Sequence, residues 1–114
     1  MDKNQRKDLR AQYEQRKPDM GVVCLQNGGQ RWIAISKDAA ADHNSTLFQL
    51  QLGSWPNREL QKAFSQDPGG FQWSLLKRLD YKERDEDHSE DLELLYMMCL
   101  EEYPDAKQMR PGRK

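Results

Sequence analysis

The 114-residue chain predicts a small α+β domain: a three-stranded, mainly antiparallel sheet, made of a hairpin plus a third strand, packed by helices. Three stretches carry that expectation. Gly21–Leu25 and Trp32–Ile35 are short runs rich in β-branched and aromatic residues, and they flank Gln26-Asn27-Gly28-Gly29-Gln30. Asn-Gly between such runs is a strong hairpin signal. Phe71, Trp73 and Leu75 recur at period two, which puts them on one face of a strand. Leu92, Leu95, Tyr96, Cys99, Leu100 and Tyr103 recur at helical spacing and mark the main core helix.

Residues 1–18 read as a charged helix or arm, with Leu9 and Tyr13 as an i, i+4 apolar pair among Lys3, Arg6, Lys7, Arg10, Arg16 and Lys17. It ends at Lys17-Pro18, because a residue before proline avoids the α region. In the hairpin, a two-residue Asn27-Gly28 loop would pair Gln26 with Gly29 and set Val23 opposite Trp32 on a shared face. A helix-favouring run follows from Lys37 to Leu52, with a break expected around His43-Asn44-Ser45-Thr46, and Gly53 stops it. Asn57 can cap a helix from Arg58 to about Ser65 that buries Leu60, Ala63 and Phe64. Asp67-Pro68-Gly69-Gly70 breaks the chain before the third strand. Tyr81 to His88 reads as a solvated charged loop, and Asp87 with Glu90 has capping-box spacing ahead of the core helix. Met97 and Met98 read as packing or rim residues. From Pro104 onward the chain is polar and basic, a tail expected to be flexible. The organisation is thus an arm over 1–18, a folded domain over 19–103 and a tail over 104–114.

Bulk properties limit the function classes. Charged residues make up 32% and hydrophobic ones 36%, with mean hydropathy −1.08, so the core must be small. Eighteen basic against nineteen acidic residues leave a net charge of −1, and nucleic-acid binding would therefore need a local patch. Protein partners are the other expectation, for a monomer or homodimer. Cys24 and Cys99 lack metal spacing and read as small buried hydrophobes in a reducing compartment. His43 and His88 have no ligand-spaced neighbours, and no phosphate-cradling glycine loop is present. The charged start and the absence of a long apolar run lead us to expect a cytoplasmic protein without a membrane partner.

Gly21-Val22-Val23, a hairpin, Trp32-Ile33-Ala34-Ile35-Ser36, then Leu52-Gly53-Ser54-Trp55-Pro56-Asn57-Arg58-Glu59-Leu60-Gln61 and the strand from Phe71 form an order that resembles the GIY-YIG nuclease domain, over roughly residues 20–103. Many members carry Leu-Gly-x-His-Pro-Asn-x-x-Leu-Gln in that middle segment. The resemblance implies two tyrosines on one sheet face, an arginine on the first helix and a glutamate holding one divalent metal. Such a set orients a water, offsets developing phosphate charge and stabilises oxygens in line. Carried across, the tyrosine positions fall on Val23, which transfers no proton, and on Trp32, a donor only. The arginine position falls near Ala41 or Asp42, the motif glycine becomes Ala34, and the asparagine that often follows falls near Gln108. Glu93, followed by Leu94-Leu95-Tyr96, keeps the glutamate.

No catalytic residue is therefore assigned. Glu93 is the one candidate metal ligand, with Mg²⁺ needed if the chain is active and no cofactor otherwise. Trp32, Trp55 and Arg58 are candidate nucleic-acid or partner contacts, with Trp55 either stacking outward or folding into the core. The resulting expectation is a nuclease-like domain that has lost phosphodiester hydrolysis and binds nucleic acid or protein as a regulatory module. One alternative is a divergent Mg²⁺-dependent endonuclease with Glu93 as ligand, helped by Tyr81 or Arg31. Another is an interaction module unrelated to nucleic acid, dimerising through the apolar hairpin face.

Overall fold

Close approach of three strands at Gly21 sets the frame of the molecule. The computed structural model describes residues 18–82 and 86–110. In it β1 (Gly21–Asn27) pairs antiparallel with β2 (Gln30–Ser36) on one side and β3 (Gln72–Arg78) on the other. A Cβ on Gly21 would lie 1.9 Å from the Lys77 carbonyl oxygen, so glycine alone lets β1 and β3 meet there. A fourth strand, β4 (Lys107–Gln108), runs parallel to β2 on its outer edge, giving a sheet order of β3-β1-β2-β4. The sheet thus has one strand more than the expected three.

The extra strand corrects the reading of residues 104–110 as a flexible tail. Met109 is fully buried and its N–H donates to the Ile33 carbonyl at 2.9 Å, so the folded unit runs past residue 103 to Arg110. The arm expected over residues 1–17 and the last four residues lie outside the described ones.

The hairpin register also differs from expectation by two residues. Asn27 pairs with Gln30, Leu25 faces Trp32 and Val23 faces Ala34, leaving Gly28-Gly29 as the loop. The cause is a tertiary anchor: Asn27 Nδ2 donates to Asp67 Oδ2 at 3.1 Å, which holds Asn27 at the strand end. A slip of two keeps every side chain on its face. Val23 and Trp32 therefore still share one side, as expected, without standing opposite each other.

Among the described residues, three α-helices cover the sheet. Helix α1 (Ala39–Leu52) is capped by Asp38, whose carboxylate accepts from Ala41 N at 3.1 Å, and it ends at Gly53 in the left-handed region. It passes uninterrupted through the expected break, because Thr46 turns into the core and His43 stacks on Trp73 with ring centroids 4.8 Å apart. Helix α2 (Arg58–Gln66) begins at Asn57, whose Oδ1 accepts from Glu59 N and Leu60 N at 3.1 and 3.3 Å. Helix α3 (Ser89–Glu102) starts one residue later than a box of Asp87 and Glu90 requires. His88 holds the cap position, and Asp87 Oδ1 instead accepts from Ser89 N at 3.0 Å. His88 is also buried rather than part of a solvated loop.

The sheet lies between two apolar layers. Val23, Leu25, Trp32 and Ala34 meet Leu50, Leu60 and Phe64 of α1 and α2, with Phe71 just before β3 and Trp73 and Leu75 within it packed alongside. Val22, Cys24 and Ile33 meet Tyr96 and Cys99 of α3 on the other side. Both hairpin faces are thus covered within the chain, which removes the apolar hairpin face as a dimer surface. Leu100, expected in the core, is 36% exposed, and Leu94, Met97 and Met98 are more exposed still.

Gly21→Ala should force β1 and β3 apart at Lys77 and destabilise the domain by about 2–3 kcal/mol. The expected readout is a melting temperature lower by roughly 10 °C or more in a thermal unfolding scan.

Candidate functional site

Strand β4 pairs with β2 only at Trp32 and Ile33, so beyond it the β2 edge opens. The opening is a cleft of about 630 Å³ with an apolar floor of Ile33, Ala34, Ile35 and Leu92. Its polar rim comes from three directions: Lys37 and Asp42 from the start of α1, Ser89 and Glu93 from α3, and Gln108 and Arg110 from the β4 segment.

One network organises the rim. The Ser36 hydroxyl donates to Asp42 Oδ2, and Arg110 Nη2 lies 3.2 Å from the same oxygen. Arg110 Nη1 also donates to the Ile35 carbonyl at 3.3 Å, satisfying part of the exposed β2 edge. Near the position where the resemblance implies an arginine stands Asp42, which pairs with Arg110 of the C-terminal segment, and Lys37 is the other cation of the rim.

The C-terminal segment is itself held by the turn before α2. Trp55 is buried and its Nε1 donates to the Met109 carbonyl at 2.9 Å, while Asn57 Nδ2 donates to the Gln108 carbonyl at 2.7 Å. Lys107 pairs with Glu59 across the same seam. Gln61 closes the turn, accepting from Trp55 N at 3.0 Å and donating to the Leu50 carbonyl at 2.9 Å.

The sequence-predicted residues divide sharply on this map. Glu93 lines the cleft, and so does Gln108, a residue expected in the tail. Val23 and Trp32 do not: both are 0% exposed, inside the layer under α1 and α2. Trp32 stacks at an angle on Phe71, 5.7 Å between centroids, and its Nε1 finds no acceptor among the described residues. It is therefore not a partner contact. Trp55 is not one either, since it folds inward. Arg58 is exposed, apart from the cleft. Tyr81 donates to the Pro18 carbonyl and Arg31 lies 4.1 Å above the Tyr103 ring, so neither supplies a replacement group to the cleft. Lys37, Asp42 in its paired state and Arg110 were not foreseen; the isolated Met109 in a polar run was the available sign that this segment packs.

Among the described residues, the carboxylates that line the cleft are Asp42 and Glu93. Asp42 is already engaged by a hydroxyl and a guanidinium. Among the described residues no three His, Cys, Asp or Glu side chains converge. Glu93 is then the carboxylate an ion could draw on, and Mg²⁺ held by one carboxylate relies on substrate phosphate for the rest.

In sequence the chain matches no protein-family model and no curated protein. In structure it matches the catalytic domain of the homing endonuclease I-TevI, at 16% identity and a TM-score of 0.62, over 75% of this chain and 88% of that one. A point variant of the same catalytic domain of intron endonuclease I-TevI aligns at 14% identity and a TM-score of 0.66, over 83% and 97%. The chain has a GIY-YIG-like fold. The two structures match it in architecture, which leaves the chemistry to the residues described above. Among the described residues no helix is long and apolar enough to cross a membrane.

Two predictions test the site's construction. Trp55→Phe keeps an aromatic ring but removes the indole N–H, leaving the Met109 carbonyl only the longer 3.4 Å bond from Asn57 Nδ2, which should cost about 1–3 kcal/mol. Hydrogen exchange at Lys107–Arg110 should accelerate more than exchange in β1. Burial pushes the Cys24 and Cys99 thiols above their ordinary range, against a smaller opposing pull from Arg31 on Cys24 and from Lys77 on Cys99. Both should stay unreactive toward a thiol reagent near neutral pH in the native chain, and both should react in denaturant.

Proposed function

We propose that this chain is a GIY-YIG-like module that does not hydrolyse phosphodiesters and that acts by binding a protein partner. The observation that carries the reading is the burial of Val23 and Trp32, each 0% exposed at the positions where the resemblance expects tyrosines. A group sealed under α1 and α2 cannot orient water on a substrate phosphate, and neither side chain has the proton chemistry to do so. Asp42 adds to the same argument, since a carboxylate near the expected arginine opposes the charge that develops on a transferring phosphoryl group.

Charge favours protein over nucleic acid. The cleft offers Lys37 and Arg110 against Asp42 and Glu93, and Arg110 is committed to Asp42. The rim is therefore balanced rather than basic, without the positive stripe that phosphate backbones require.

A second reading is a divergent Mg²⁺-dependent endonuclease. It draws support from Glu93, Gln108, Lys37 and Arg110 sharing one cleft, where a substrate phosphate could complete a metal's coordination.

Supercoiled plasmid incubated with the purified chain and Mg²⁺ or Mn²⁺ should remain uncut, and Glu93→Gln should behave the same way on an agarose gel. Metal-dependent nicking that Glu93→Gln abolishes would establish the second reading in place of the first.

A further inference from the structure

Helix α3 is apolar on two sides. Leu92, Tyr96 and Cys99 face the sheet and are buried. Leu94, Met97 and Met98 sit at i, i+3 and i+4 on the outer side, exposed by 59%, 60% and 41%. A soluble helix ordinarily turns one apolar stripe inward and a polar one outward, and a contiguous exposed patch rimmed by charge marks an interaction surface.

The rim has one sign. Glu90 lies one turn before the patch and Glu101 one turn after it on the same face, while Asp91 and Glu102 flank one side and Glu93 the other. All five are exposed, and the helix carries no lysine or arginine. Lys77 takes up Glu102, and Glu90, Asp91 and Glu101 surround the patch. Unbranched, polarisable methionines suit a surface that must adapt to a partner's side chains.

Resting on the reading of the chain as a protein-binding module, we propose that the outer face of α3 docks a cationic amphipathic helix of a partner protein. The partner's apolar stripe covers Leu94, Met97 and Met98, and its flanking lysines and arginines meet the carboxylate rim. A second copy of this chain is a poor occupant, because two α3 helices packed together would set carboxylate against carboxylate.

The test is fluorescence anisotropy of a labelled leucine–lysine peptide, about 18 residues long so that its helix outlasts the 14 residues of α3, titrated with the 114-residue chain. Saturable binding is expected, weakened at least about tenfold by Leu94→Ser with Met97→Ser. Glu90→Gln with Glu101→Gln should weaken binding and flatten its dependence on salt. These positions are exposed, so unchanged thermal unfolding would show that the variants stay folded. Four results would overturn the proposal: no binding by the parent chain, equal binding of a leucine–glutamate peptide, unchanged affinity in the Leu94/Met97 variant, or a dimer in sedimentation that this variant dissolves. A gain in peptide affinity on Arg6→Glu with Arg10→Glu would make the chain's own N-terminal segment the occupant and would equally overturn it. Plasmid cleavage reports on hydrolysis and peptide binding on this face, so the two readings can fail separately.

Discussion

Two side-chain donors hold the C-terminal strand, and the cleft exists because they do. Trp55 Nε1 on the Met109 carbonyl and Asn57 Nδ2 on the Gln108 carbonyl pin a two-residue strand, beside the Met109 N–H on the Ile33 carbonyl and the Lys107–Glu59 pair. A strand this short makes few ladder bonds, and its backbone would compete poorly against water without such anchors. Once it is pinned, Met109 fills the layer beneath α1 and α2, Gln108 reaches the rim and Arg110 reaches Asp42. Without the clamp, the cleft would lose one of its three sides.

The same clamp explains why the segment most similar to a nuclease motif is also the most structural part of the chain. Between Leu52 and Gln61 the distinctive residues act mechanically. Gly53 ends α1, Trp55 and Asn57 hold β4, and Gln61 ties the turn to Leu50. A motif of this kind reports on architecture and says nothing of hydrolysis. The fold is shared at 14–16% identity while Val23 and Trp32 lie buried in the core.

Most of the architecture was legible because it follows from local signals. Asn57 as a cap, Gly53 as a stop, the period-two run at Phe71–Leu75 and the inner stripe of α3 are each decided by a few neighbouring residues. What escaped was decided across long sequence separations. The hairpin register turned on Asn27 meeting Asp67, 40 residues away, and β4 on contacts from Trp55 and Asn57 more than 50 away. At the site, Glu93 could be named from its motif, whereas Arg110 sat in a polar stretch with no periodicity to show that it would fold back. The burial of Trp32 and Trp55 was undecidable for the same reason, since an aromatic residue in a turn or strand is read as core or contact only once its covering elements are placed.

Tyrosine at position 23 or arginine at position 42 would disturb the packing and pairing now found there. A tyrosine at position 23 would enter a layer already filled by Leu50, Leu60, Phe64 and Trp32, where added volume displaces neighbours rather than creating a reaction face. An arginine at position 42 would remove the carboxylate that receives Ser36 and Arg110, setting two guanidiniums side by side at the mouth of the cleft. The Trp32 indole shows how far the packing has settled around its present residues: its N–H stays unsatisfied among the described groups, a cost of about 1–3 kcal/mol that the ring's complete burial offsets. On this side of the hairpin the core of Leu50, Leu60 and Phe64 occupies the space.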